Sequence, residues 1–259
     1  MIPKVIHYCW LSNDPVPDDL KRYMSSWKRM LPDYEFKKWD FSVFDKSSSK
    51  WVSDAFDNKK YAFACDYIRL FAVYHYGGIY MDMDVEVVKP FNDLLNSQYF
   101  FGYENDKENS IEAGVFGAEK GNPFLKDCLG YYEGREFVRK DGSYADRPLP
   151  SIMFQIFRKG NYQFPIMNWH RLTAKSYLTG EVLSDEHTYT IHHFAGSWLD
   201  DERKNLRDSR QHVSKKYGVT IGRIWSNLLQ YTHRIKEKGI SGALQLTKEK
   251  VMWKLGRYD

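Results

Sequence analysis

Residues 76–90, YGGIYMDMDVEVVKP, set Asp82 and Asp84 two positions apart at the end of an apolar run. In extended backbone, residues i and i+2 point the same way and lie about 6 to 7 Å apart along the chain. The two carboxylates are therefore expected on one face, spaced to share a divalent ion directly or through water. Gly77 and Gly78 end the helical pattern before them, and Ile79, Tyr80 and Met81 read as the strand that delivers them. The carboxyl end of a buried strand is where open α/β sheets usually hold nucleotides. A hard cation held by two carboxylates keeps coordination sites for phosphate oxygens, as magnesium and manganese do on nucleoside diphosphates. A solvated hairpin end with two incidental acids would show the same pattern.

Immediately upstream, YAFACDYIRLFAVYHY, residues 61–76, predicts a helix apolar on most faces. Asp66 and Arg69 stand out within it, three residues apart and able to share a side. Charges on so apolar a helix need a partner or a ligand. Further back, residues 4–11, KVIHYCWL, read as a buried first strand, and Leu20, Tyr23, Met24, Trp27 and Leu31 mark an amphipathic helix over 18–31 that Pro32 stops. A second strand is expected over 34–39, and the strand, helix, strand opening predicts a parallel sheet.

Downstream, strands are expected near 99–103 and 113–118, then a helix opened by Asn122 and Pro123. A charged loop follows over 134–148, and another helix over 151–158. Glu104, Asp106 and Glu112 read as solvated loop acids. In HTYTIHHFAGSW, residues 187–198, Tyr189, Ile191 and His193 alternate as one face of a strand. A neutral imidazole at His193 would suit the paired acids as a third ligand, although a pair of histidines also serves purely structural ends.

Composition bounds the rest. The chain has 259 residues, 42% of them hydrophobic, enough for one large domain or one domain with an appendage. Cys9, Cys65 and Cys128 make an odd number without metal-ligand spacing, so no disulfide framework or zinc site is expected, and a reducing compartment fits. No leader-like or membrane-spanning stretch is evident, which reads as a cytoplasmic, non-spanning protein. Charge is polarised: residues 210–259 hold eleven Lys or Arg against three acids, a net of +8 within a whole-chain +4. A catalytic domain is therefore expected over 1–209 and a basic helical appendage over 210–259. That appendage mixes Trp225, Trp253 and several Ile and Leu with its cations. It suits either packing on the domain or resting on the anionic inner face of a membrane. No nucleic-acid-binding module accompanies the charge.

Taken together, IPKVIHYCW, the D-x-x-R helix leading into G-G-I-Y-x-D-x-D, and HHFAGSW resemble glycosyltransferase family 32 over about residues 1–200. That family includes hexosyltransferases of bacterial capsule clusters and yeast mannosyltransferases. The resemblance implies a GT-A fold, that is, a Rossmann-like, mostly parallel sheet flanked by helices. It also implies a nucleotide-sugar donor, manganese or magnesium, and transfer with retention of anomeric configuration. By the same resemblance Trp10 would stack on the donor base, with the backbone around His7 and Tyr8 at its edge. Asp66 and Arg69 would hold ribose or sugar, Asp82 would touch ribose and metal, and Asp84 would coordinate directly. His193 would be the late metal or diphosphate ligand, and Ser197 with Trp198 would cap the diphosphate. The chain departs from the usual pattern at 111–114, where many relatives place an asparagine near the position of Glu112 and Ala113.

The expected activity is transfer of a hexose, with UDP-galactose or UDP-glucose first among donors, to a saccharide or lipid-linked saccharide in surface polysaccharide synthesis. Two other classes stay open on the residues. A metal-dependent nucleotidyl or phosphoryl transferase would use the same paired acids but leave Trp10 and HHFAGSW unexplained. An inactive carbohydrate-binding subunit would not need Asp66, Arg69, Asp82 and Asp84 intact.

Overall fold

The computed structural model describes residues 1–160, 162–196 and 201–254. It divides into two compact units, Met1–Lys175 with Val182–Ala195, and Ser176–Glu181 with the residues from Gly196 onward.

The first unit opens with β1 (Val5–Cys9), α1 (Asp18–Met30) and β2 (Glu35–Trp39), as the periodicity predicts. In α1, Asp18 and Asp19 sit in the first turn and Lys28 and Arg29 in the last, each complementing the helix dipole. Its buried stripe, Leu20 and Trp27, is the one that the spacing marks. Then come α2 (Lys50–Asp57) and α3 (Tyr61–Tyr76). Gly77 ends α3 at φ 70, a left-handed conformation that glycine adopts without strain, and so turns the chain sharply into β3 (Gly78–Met81). The remaining elements are β4 (Val85–Val87), β5 (Tyr99–Phe100), β6 (Val115–Ala118), α4 (Pro123–Gly130), α5 (Leu149–Lys159) and β7 (Thr190–His192).

The main sheet runs β2-β1-β3-β6-β5. β1 pairs in parallel with both β2 and β3, which is the expected parallel half. β6 joins β3 antiparallel and β5 joins β6 antiparallel, so the sheet as a whole is mixed. Both faces are buried. Ile79, Met81 and Val115 enter one apolar cluster with Ile6 and Trp27, whereas Tyr80 and Phe116 enter the other with Ile68, Trp51 and Phe124. A strand buried on two sides reads as a continuous apolar run, which is why Ile79–Met81 shows no alternation in the sequence.

A second, two-stranded sheet pairs β4 with β7 antiparallel, with Val85 opposite His192. α1 fastens it: the Trp27 indole N–H donates to the Val85 carbonyl at 2.7 Å, and the Val87 N–H donates to Ser26 Oγ at 2.9 Å. Truncating the fully buried Trp27 to alanine would remove both packing and this bond, a loss of about 3–5 kcal/mol on general precedent.

The second unit contains α6 (Asp201–Tyr217) and α7 (Val219–Lys254), the expected helical appendage. Residue 209, the expected edge of the catalytic domain, lies inside α6. Gly239, at φ 63 and ψ −162, breaks α7 into two segments. None of the described helices is long and apolar enough to cross a membrane.

Candidate active site

Asp82 and Asp84 do not lie in extended strand. Met81 is the last residue of β3, and the acids occupy a turn closed by the Val85 N–H donating to the Asp82 carbonyl at 3.0 Å. The turn still brings the carboxylates together, and β7 supplies a third group. Ligand atoms of Asp82, Asp84 and His192 all lie within 4.8 Å of one another.

His192, not His193, is the histidine at the paired acids. The last residue of β7 and the one after it meet different surroundings: His192 Nε2 is 3.5 Å from Asp84 Oδ1, while His193 Nε2 lies 2.9 Å from Glu86 Oε2. His193 also stacks on Tyr23, with ring centroids 4.1 Å apart. The expected alternation through Tyr189 and Ile191 placed the wrong member of the pair at the acids, because neighbouring strand residues face opposite ways.

Glu112 is buried and bound, contrary to its reading as a solvated loop acid. One carboxylate oxygen accepts from the Gly114 N–H at 2.6 Å and lies 3.1 Å from His192 Nδ1; the other accepts from Thr173 Oγ1 at 2.6 Å. This arrangement fixes the ring so that Nε2 faces Asp84, as carboxylates behind metal-bound histidines commonly do. Gly114 makes room for it, since a Cβ there would stand 2.6 Å from His192 Cε1. Glu104 is also held, by Ser110 Oγ at 2.8 Å, and burial followed by the Glu112 charge pushes its carboxyl up. Asp106 is exposed, as expected.

Asp66 and Arg69 meet the same turn from α3. Arg69 Nη2 lies 3.3 Å from Asp66 Oδ1, and Nη1 donates to Asp82 Oδ2 at 3.1 Å and to the Ala113 carbonyl at 2.7 Å. The guanidinium thus joins α3, the acid turn and the approach to β6. Its Nε is buried without a partner. Tyr80 adds a hydroxyl that donates to Asp82 Oδ1 at 2.7 Å.

These contacts set the electrostatics. Burial pushes the Asp66 carboxyl up to about 6 despite Arg69, and raises Asp82 as well. Burial also opposes ionisation of Asp84, but the His192 charge and the bonds from His192 and the Ala195 N–H outweigh it and hold this carboxyl at about 2. Burial opposes charge on His192 too, yet Glu112 and Asp84 together raise its pKa well above the ordinary value. Asp66, Asp82, Asp84 and Glu112 against Arg69 and His192 leave an excess of acid around a half-buried turn.

That donor set fits a hard divalent cation, with two carboxylates and an imidazole converging at a site short of positive charge. Such an ion would displace the proton that His192 carries.

The backbone after β7 is shaped to the same site. Phe194 adopts φ 52, a strained conformation for a bulky residue. Around it, the His193 N–H donates to the Asp84 carbonyl at 3.0 Å and the Ala195 N–H to Asp84 Oδ2 at 2.8 Å.

Of the residues expected around a base, His7 is fully buried and committed to the fold. Its Nε2–H donates to the Gly77 carbonyl at 2.8 Å, its Nδ1 accepts from the Trp39 indole at 3.0 Å, and its strand is paired on both sides. Tyr8 and Trp10 keep partial exposure, Trp10 following the end of β1 with its indole N–H on the Asp14 carbonyl at 2.9 Å. Ser197 and Trp198 lie outside the described residues.

Comparison with known proteins places a family match on part of this region. The family model for the glycosyltransferase sugar-binding region containing DXD motif matches residues 17–101, taking in Asp66, Arg69, Asp82 and Asp84 but not Trp10, Glu112 or His192. Inositol phosphoceramide mannosyltransferase 3 of Schizosaccharomyces pombe is 34% identical over 182 residues, 69% of this chain and 44% of that protein. Mannosyl phosphorylinositol ceramide synthase SUR1 of Saccharomyces cerevisiae is 31% identical over 133 residues, 50% of this chain and 34% of that protein. Among solved structures, the PaToxG glycosyltransferase aligns at a TM-score of 0.45 with 19% identity, covering 61% of this chain and 69% of that one. The chain spans less than half the length of these curated relatives. Across residues 17–101, this chain carries the DXD-containing sugar-binding region of the glycosyltransferases, the family-32 type that its sequence resembles.

Proposed function

We propose that this chain is a metal-dependent glycosyltransferase that moves a hexose from a nucleotide sugar to a saccharide or lipid-linked acceptor with retention of anomeric configuration. The observation that carries the proposal is the convergence of Asp82, Asp84 and His192 on the turn after β3, whose two acids lie in the stretch that the family match spans.

Asp82, Asp84 and His192 would hold manganese or magnesium, whose charge would offset the negative charge developing on the leaving diphosphate. Arg69 orients the acid turn by bridging Asp66 to Asp82, so we assign Asp66 and Arg69 to positioning that turn. Glu112 and Thr173 hold His192 in place, and Trp10 offers a flat ring to a base at the end of β1. For the donor, UDP-galactose and UDP-glucose stand beside a mannose donor, which the names of the mannosyltransferase relatives support. Those names also mention a phosphoinositol-linked ceramide, which supports a lipid-linked acceptor over a free sugar. Free Cys9, Cys65 and Cys128 support a cytoplasmic setting.

The test is release of nucleoside diphosphate from UDP-galactose, UDP-glucose, UDP-N-acetylglucosamine and GDP-mannose, each with manganese, magnesium or chelator. Diphosphate release from one donor, lost in chelator, is expected, and the product's anomeric coupling by NMR reports retention. Hexose 1-phosphate appearing instead, with the nucleoside monophosphate carried to an acceptor, would make the chain a nucleotidyl transferase, and silence with every donor would overturn the assignment.

A further inference from the structure

On α7, Ile221, Ile224, Trp225, Leu228 and Ile235 are each between 43 and 56% exposed. Offsets of three, four, seven and fourteen residues put them on one side of the helix, a stripe about 21 Å long. An amphipathic helix ordinarily turns such a stripe to its neighbour. α7 instead packs on α6 through another side, where Gly222 closes on Ser214 and His233 Nδ1 lies 3.0 Å from Glu202. Trp225 sits at the margin, its indole N–H on Ser209 Oγ at 2.9 Å and its ring part exposed. Beyond the break at Gly239, Ile240 at 75%, Leu244 at 67% and Val251 repeat the arrangement on one side of the second segment.

Charge is strongly one-signed on the same helix, with seven Lys or Arg against two Glu. Arg223, Lys236, Lys238 and Lys248 are exposed. Their long stems let the charged heads reach past an apolar surface to anionic groups beside it. We propose that the outward stripe of α7 docks on an anionic lipid surface, lying along the interface with its apolar side chains at the acyl boundary. A second copy of the chain is a poorer occupant, because two such cationic helices repel. A nucleic acid would satisfy the cations and leave the isoleucines and leucines in water.

No donor, metal or acceptor enters the test, so its failure is distinct from failure of the transferase reading. The full chain is floated with vesicles of phosphatidylcholine alone or mixed with phosphatidylglycerol, at low and high salt. The expected result is recovery with the anionic vesicles, weakened by salt. It should fall about tenfold in Ile224→Asn/Leu228→Asn/Ile235→Asn, whose exposed positions leave the helical circular dichroism unchanged. Arg234→Ser/Lys236→Ser/Lys238→Ser should lose the preference for anionic lipid and the salt dependence. Equal recovery on both vesicle types, or full recovery of the asparagine variant, would overturn the proposal. So would a wild-type dimer that does not float and that the asparagine variant converts to monomer, since the stripe would then be a self-association face.

Discussion

The turn at Asp82–Asp84 and the outward side of α7 depart from the usual distribution of side chains in opposite senses. At the turn, charged groups are buried or half-buried, and several of their bonds run to groups distant in sequence: Asp82 to Arg69, Asp84 to Ala195, Glu112 to Thr173 and His192. On α7, several large apolar side chains face water while the side toward α6 carries Gly222, Ser226 and His233 beside Leu229. Buried charge is costly unless compensated, and exposed apolar area unless covered. The turn is compensated largely from within and keeps an excess of acid; the helix is covered by nothing among the described residues. The first therefore suits something small and positive, and the second something broad.

The sharpest way to break this contrast is Asp84→Asn. If the turn exists to hold a cation, losing this carboxylate should cost on the order of 10²–10³ in turnover, while the circular dichroism of the folded protein and vesicle flotation stay as in wild type. Full turnover of the variant in chelator would make the buried acids structural.

Glu112→Gln asks how far the site extends beyond the turn. The amide keeps the shape but loses the charge behind His192, so manganese affinity, measured by titration of the protein without donor, should weaken about 10–100-fold. Donor affinity without metal should not move. A loss of folding alone, with unchanged manganese affinity in the folded fraction, would assign Glu112 to the core.

The smallest effect concerns His7, which separates structural histidine from functional histidine in the same unit. Burial foremost lowers its pKa, so the folded protein keeps the ring neutral while the unfolded chain takes up a proton as pH falls through 6.5. Its contribution to stability is therefore present above about pH 6.5 and lost as pH falls toward the folded-state value. His7→Gln, which cannot titrate, should flatten the acid-side fall in Tm between neutral pH and pH about 5. An unchanged slope would mean that other groups govern acid sensitivity.

Much of the scaffold was legible because its periodicities are strong. α1 and α3 begin where the apolar spacing says, and Gly77 ends α3 where the left-handed turn requires glycine. Asp66, Arg69, Asp82 and Asp84 were legible as oddities, charges set in apolar runs. The choice between His192 and His193 was not, because all three residues of β7 are buried and no polar face marked the phase of the strand. Glu112 was hidden for another reason: its partners Thr173 and His192 lie 61 and 80 residues away, and local sequence carries no sign of a bond that the fold creates. The antiparallel joining of β6 to β3 is likewise a matter of long-range pairing.

The single bond from the Ala195 N–H to Asp84 Oδ2 has a practical consequence. Any cation that draws on that oxygen's electrons competes with the amide for them, so the Ala195 proton becomes a built-in spectroscopic gauge of occupancy. Its chemical shift and its exchange with solvent should follow the filling of the site without a donor or a turnover. The backbone would thereby report events that the chemistry itself leaves silent.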